Sequence, residues 1–210
     1  MLDTIVRVNG ATNSGDVLAR AVAVLAAGGL LVYPTDTLYA LGCRARDVDA
    51  CARVRRAKGR EDGKPFPLVA GDTAAVEALG NLPDGGRRLA LRFWPGPLTL
   101  VLEAAAGLPG EVTAGTGTVA VRVPALPLTR ALCLAAGPLV STSANRAGLA
   151  PARTCAEAVA ALGDQVAMAL DAGPGRDRPS TIVDLTGGAP RLLRAGAVAW
   201  VDVLAAWTSR

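Results

Sequence analysis

The chain has no histidine, and among its 210 residues Lys58 and Lys64 are the only lysines. Without imidazole there is no Ser-His-Asp or Cys-His nucleophile system, no His-ligated zinc and no imidazole acid-base pair. Aromatic residues make up 3%, so few side chains are available to stack on unpaired bases. The cysteines, Cys43, Cys51, Cys133 and Cys155, are widely spaced and include no C-x-x-C pair. Apolar runs such as residues 22–31 are broken by glycine and fall short of the roughly 20 residues that span a bilayer. No secretory signal is visible at the start, and these absences together predict a soluble, cytoplasmic protein. The phosphate-cradling pattern G-x-x-x-x-G-K-[ST] is also missing.

What is present is a strongly apolar chain, 51% hydrophobic and 19% charged, which supplies a packed core and excludes disorder for most of its length. Its length predicts one domain over residues 1–210. The net charge of +4 agrees with anionic partners such as nucleotides or RNA, and equally with ordinary solubility.

Val17, Leu18, Ala21, Val22 and Leu25 recur at helical spacing, which predicts a helix over 16–27 with Asn13 and Ser14 as candidate caps. Residues 30–33 read as a buried strand stopped by Pro34, delivering Thr35-Asp36-Thr37 at its end. Further helices are expected over 47–57, 72–79, 87–93, 126–136, 156–162 and 198–207. Strands are expected over 67–70, 98–103, 118–123, 138–142, 166–170, 181–185 and 191–193. Within 118–123, the two-residue strand period puts Thr118 and Arg122 on one face. Short strands mixed with helices predict an α/β fold, an open sheet covered by helices.

Four polar clusters interrupt the apolar pattern at strand ends and loops, where α/β sheets build their sites. Pro34-Thr35-Asp36-Thr37-Leu38-Tyr39 either caps a following short helix or grips a small polar ligand. The stretch 55–65, with Lys58, Arg60 and Lys64, either places solvated charge at a helix C-terminus or holds a phosphate chain. Thr118 and Arg122 join Ser141-Thr142-Ser143-Ala144-Asn145, where small polar side chains satisfy a turn or hydrogen-bond a ligand. The fourth cluster is Arg178-Pro179-Ser180-Thr181, followed by Arg194 ahead of Gly196.

In order and spacing these segments resemble the YrdC/Sua5 family, the L-threonylcarbamoyladenylate synthases, over about residues 15–200. The residues that carry the resemblance are the cluster 34–39, Lys58-Gly59-Arg60, Lys64-Pro65, Pro95-Gly96-Pro97-Leu98-Thr99, Val121-Arg122-Val123-Pro124, the cluster 141–145, Pro179-Ser180-Thr181-Ile182-Val183-Asp184 and Leu193-Arg194-Ala195-Gly196. The resemblance implies a single YrdC-like domain, a twisted open mixed sheet surrounded by helices around a basic cleft. It implies a nucleotidyltransferase that converts L-threonine, bicarbonate or CO2 and ATP into threonylcarbamoyl-AMP and pyrophosphate, with Mg2+ accompanying ATP. The product serves formation of N6-threonylcarbamoyladenosine at position 37 of tRNA. Downstream tRNA threonylcarbamoyltransferase proteins are the implied partners, together with weak tRNA or double-stranded RNA binding and no membrane.

Carried over residue by residue, the resemblance sets threonine against Thr37, Arg122, Ser141 and Ser180. It sets ATP against Lys58, Arg60, Lys64, Thr118, Ser143, Asn145 and Arg194, with Lys58 and Arg60 as the catalytic cations. No residue is assigned to the metal, which the phosphates hold. The chain also departs from the family pattern. Ala40 replaces a glycine, and its methyl crowds the backbone if that position needs a positive φ. Arg44 stands where an acidic residue is common, and Phe66-Pro67-Leu68-Val69-Ala70 offers no histidine where many members place one against threonine. The end of the chain near residue 210 suggests the short YrdC type without the C-terminal domain of longer Sua5 members. Two other readings remain: a carbamoyl-adenylate-forming YrdC-like carbamoyltransferase, and a non-catalytic RNA-binding protein whose affinity would fall steeply with salt.

Overall fold

Some of the helices start where a short polar side chain satisfies a first-turn backbone N–H group. In the computed structural model, which describes residues 4–8, 15–59, 63–175 and 178–209, Asp47 accepts from the Ala50 N–H at 2.8 Å, Asp72 from Ala75 at 2.8 Å and Thr154 from Glu157 at 3.2 Å. The candidate caps Asn13 and Ser14 lie outside the described residues.

The chain runs β1 (Ile5–Arg7), α1 (Gly15–Ala26), β2 (Leu31–Tyr33), β3 (Ala40–Gly42), α2 (Val48–Lys58), β4 (Leu68–Val69), α3 (Thr73–Glu77) and β5 (Gly80–Asn81). It continues through α4 (Asp84–Phe93), β6 (Leu98–Ala104), α5 (Gly110–Thr113), β7 (Thr118–Arg122), α6 (Pro127–Ala136), β8 (Leu139–Val140) and β9 (Thr142–Ser143). The last elements are α7 (Cys155–Leu162), β10 (Met168–Asp171), β11 (Thr181–Asp184), β12 (Arg191–Arg194) and α8 (Trp200–Thr208). Among the described residues, no helix is long and apolar enough to cross a membrane.

The mixed α/β class follows the sequence expectation, but the strands divide between two sheets instead of one. One sheet has the order β1-β10-β2-β3-β9, parallel through β1, β10 and β2 and antiparallel beyond. The other runs β12-β11-β6-β7-β4-β8, with β5 paired to β6, and combines parallel and antiparallel neighbours. Alternation along β2 explains how the first sheet is covered on both faces. Leu31 and Tyr33 pack with Ala21 and Leu25 of α1 and Leu128 and Leu132 of α6. Val32 and Leu41 point the other way, into the larger core that contains Leu68, Leu100 and Val121 of the second sheet. Each fully buried leucine or valine contributes about 1.5–3 kcal/mol relative to exposure.

The two sheets are tied together near Gly42. The Val140 N–H donates to the Cys43 carbonyl at 2.9 Å, and the Tyr33 hydroxyl donates to the Val140 carbonyl at 2.8 Å. A Cβ on Gly42 would strike that same Val140 carbonyl, so the close approach requires glycine.

Two local expectations are corrected. No short helix follows Pro34 to Tyr39; β3 does, because the segment pairs with β2 on one side and β9 on the other. Ala40 lies in that strand opposite Tyr33, an extended backbone that accepts a methyl without strain.

Candidate functional site

A cavity of about 280 Å³ opens where the two sheets meet, with Ala40, Thr142 and Ser143 from one and Leu68, Thr99 and Ile182 from the other. Strand ends bring the charged groups to it. Arg122 is the last residue of β7 and only 6% exposed. Its Nη1 donates to Asp36 Oδ1 at 2.7 Å and its Nη2 donates to Thr37 Oγ1 at 3.4 Å. Arg194, the last residue of β12, enters from the other side. It donates from Nε and Nη2 to the Ser180 carbonyl at 3.1 and 2.9 Å, and from Nη2 to Ser180 Oγ at 3.1 Å. Burial, reinforced by the charge of Arg122, draws the Arg194 pKa below its ordinary value. Two guanidinium groups that repel each other across a recess make it a place for anions.

The Pro34 to Tyr39 turn is wound around one hydroxyl. Thr35 Oγ1 accepts the N–H groups of Thr37 and Leu38, both at 3.1 Å, and donates to the Leu38 carbonyl at 2.7 Å. Its hydrogen being spent there, Thr35 Oγ1 cannot also donate to the Thr37 hydroxyl 2.9 Å away. Thr37 Oγ1 lines the cavity with acceptor capacity left beside its bond from Arg122, suited to an ammonium or hydroxyl group of a ligand.

Thr37, Arg122, Ser141, Ser143, Ser180 and Arg194 all line the cavity. Lys58 does not. It is buried at the end of α2, and its Nζ donates to the carbonyls of Ser143 and Asn145 at 2.6 and 2.7 Å. Asn145 is likewise buried beside that turn, donating from Nδ2 to the carbonyls of Arg146 and Leu149, while its Oδ1 has no hydrogen-bond partner among the described residues. Lys64 is exposed ahead of β4 and off the cavity lining. Thr118 sits at the far end of β7, hydrogen-bonded to Thr116 Oγ1 at 2.8 Å, and is not among the lining residues. Arg60 lies outside the described residues.

The residue-by-residue resemblance gave no role to Thr35, Asp36 or Thr99, and the sequence pattern gave Thr35 and Asp36 only the general one of their cluster, capping a helix or gripping a polar ligand. Thr35 and Thr99 line the cavity, and Asp36 holds Arg122. The wall where a histidine was missed is apolar, formed by Pro65, Pro67, Leu68 and Val69. Phe66 itself is turned away, fully buried beneath the Arg55 guanidinium, which lies 4.8 Å from the ring centre.

Residues 23–196 match the Sua5_yciO_yrdC family model, which carries the description "Telomere recombination". The chain is 42% identical over 175 residues to the threonylcarbamoyl-AMP synthase of Thiobacillus denitrificans, covering 82% of this chain and 92% of that one. It is 43% identical over 181 residues to the threonylcarbamoyl-AMP synthase of Chromohalobacter salexigens, covering 83% and 96%. Among solved structures, P. abyssi Sua5 complexed with L-threonine superposes with a TM-score of 0.91 at 32% identity. That match covers 96% of this chain, which spans 60% of the P. abyssi protein.

Proposed function

The chain belongs to the Sua5/YciO/YrdC family, and from that membership we propose that it is a threonylcarbamoyl-AMP synthase, making threonylcarbamoyl-AMP and pyrophosphate from L-threonine, bicarbonate or CO2 and ATP. The observation that carries the reading is the meeting of Arg122 and Arg194 with the hydroxyls of Thr37, Ser141 and Ser180 in one recess. An arginine fork suits the threonine carboxylate, and the acceptor face of Thr37 suits its amine or hydroxyl. In the reaction, the amine lone pair bonds to the carbon of CO2 and loses a proton, giving a carbamate. A carbamate oxygen then bonds to the α-phosphorus as the bond to pyrophosphate breaks. The protein's part is to hold the reactants together and to neutralise the phosphates, which needs no enzyme nucleophile.

Arg194 and Ser143 support an ATP subsite beside the amino acid, with Lys58, Arg60, Lys64, Thr118 and Asn145 as its further residues. Mg2+, bound together with ATP, would supply charge neutralisation at the triphosphate. Among the described residues no cluster of three or more acidic or cysteine side chains offers a separate metal site. The product passes to a tRNA threonylcarbamoyltransferase in the cytoplasm, and weak tRNA binding would bring donor and acceptor together.

Pyrophosphate release tests this directly, measured with ATP, Mg2+ and bicarbonate plus L-threonine, L-serine or no amino acid. Release that depends on threonine supports the reading. Release only on adding carbamoyl phosphate assigns the chain to carbamoyl-adenylate formation instead.

A further inference from the structure

Thr99 and Ser180 lie 81 residues apart, yet their hydroxyl oxygens are 2.8 Å apart at the cavity floor, with the residues 5% and 7% exposed. Parallel pairing of β6 with β11, with Thr99 in register with Ile182, puts them there. Hydrogen counting then constrains the pair. Arginine can only donate, so Ser180 Oγ accepts from Arg194 Nη2. The bond between the two hydroxyls uses one of their two hydrogens. The other has no acceptor among the described residues, and both side chains line the cavity.

We propose that Thr99 is a positioning residue of the amino-acid subsite: by donating its hydrogen to Ser180 Oγ, it turns the Ser180 O–H into the cavity toward an anionic oxygen of the bound amino acid or its carbamate. Ser180 Oγ then accepts from Arg194 and Thr99 at once, which polarises its own O–H and strengthens it as a donor. A hydrogen bond to a charged oxygen is the stronger kind, so its loss is felt in threonine use. This inference rests on the proposed threonine chemistry of the cavity.

The test is a double-mutant cycle with Thr99→Val, Thr99→Ser, Ser180→Ala and the Thr99→Val/Ser180→Ala pair, varying threonine and ATP separately. Valine matches threonine in shape and favours strands, so Thr99→Val keeps the packing of β6 and removes only the hydroxyl. Thr99→Val is expected to lower kcat/KM for threonine about tenfold, with the KM for ATP held within about twofold. Thr99→Ser restores most of the loss, and Thr99→Val adds little in the Ser180→Ala background because its partner is gone. Wild-type threonine kinetics in Thr99→Val would overturn the proposal, as would full additivity with Ser180→Ala or an equal loss toward ATP. If Thr99→Val does not fold, Thr99→Ala takes its place in the same cycle. A wild-type enzyme that releases no pyrophosphate with threonine refutes the underlying function and the proposal with it. An active wild type with an indifferent Thr99→Val refutes the proposal alone.

Discussion

Arg122 and Asp36 form an ion pair, Nη1 to Oδ1 at 2.7 Å, with side chains only 7% and 11% exposed. It pins the Pro34 to Tyr39 turn to the end of β7, joining residues from the two sheets. Among the described residues only one carboxylate oxygen is used, and Asp36 Oδ2 is buried without a hydrogen-bond partner. Single-point attachment orients the Arg122 fork while leaving N–H donors for a substrate carboxylate. Asp36→Ala leaves a buried cation unpaired and should cost about 3 kcal/mol, roughly 6–12 °C in Tm, measured by thermal melting. Arg122→Ala should raise the KM for threonine at least about tenfold and leave the KM for ATP nearly unchanged. Unchanged threonine dependence would remove Arg122 from the carboxylate subsite.

Lys58 joins helix to sheet as well as carrying charge. Lys58→Ala strips the donor from two carbonyls, Ser143 and Asn145, that flank the proposed ATP subsite. The expected result is a stability loss of about 2 kcal/mol, roughly 4–8 °C in Tm, together with a severe fall in turnover. A melting curve identical to the wild type would show that those bonds do not hold the turn.

All four cysteines are buried thiols, Cys43 Sγ and Cys51 Sγ lying 3.8 Å apart. Burial pushes Cys133 and Cys155 up to about 12. Cys43 is raised as well, by its hydrogen bond with Cys51 and by burial. The thiolate is the reactive form, so raised values keep Cys43, Cys133 and Cys155 neutral across the range of ordinary buffers, and burial shields all four thiols from reagent. The native protein should resist alkylation at pH 8 and take up four equivalents of reagent once unfolded. Rapid native labelling at pH 8 would contradict the burial.

Gly196 packs against the segment that carries Ser180. A Cβ there would meet the carbonyl oxygens of Pro179 and Ser180, a contact that cannot be relieved by turning a side chain. Gly196→Ala should destabilise by about 1–3 kcal/mol and displace Ser180, lowering kcat/KM for threonine. Normal melting and normal kinetics together would show that the loop can shift freely.

Much of this arrangement was legible in the sequence where the cause is local. The helix of residues 48–58 was readable from its apolar spacing, and the structure adds the Asp47 cap at its start and Gly59 in the left-handed region at its end. β3 was not legible, because a strand of three residues is defined by the partners on both its sides. Thr118 and Arg122 share a strand face as the alternation implies, but four residues at about 3.3 Å each separate them by roughly 13 Å. Face alone does not carry Thr118 to the cavity. The burial of Lys58, the Asp36 to Arg122 pair and the Thr99 to Ser180 bond all join residues far apart in the chain, and no periodicity reports such meetings.

The central claim is tested most directly by mass spectrometry of the product formed from ATP, Mg2+, L-threonine and 13C-labelled bicarbonate. The account predicts a threonylcarbamoyl-AMP ion carrying the heavy carbon, formed alongside pyrophosphate and absent when threonine is omitted. ATP cleavage without that ion, or an adenylate formed regardless of threonine, would contradict it.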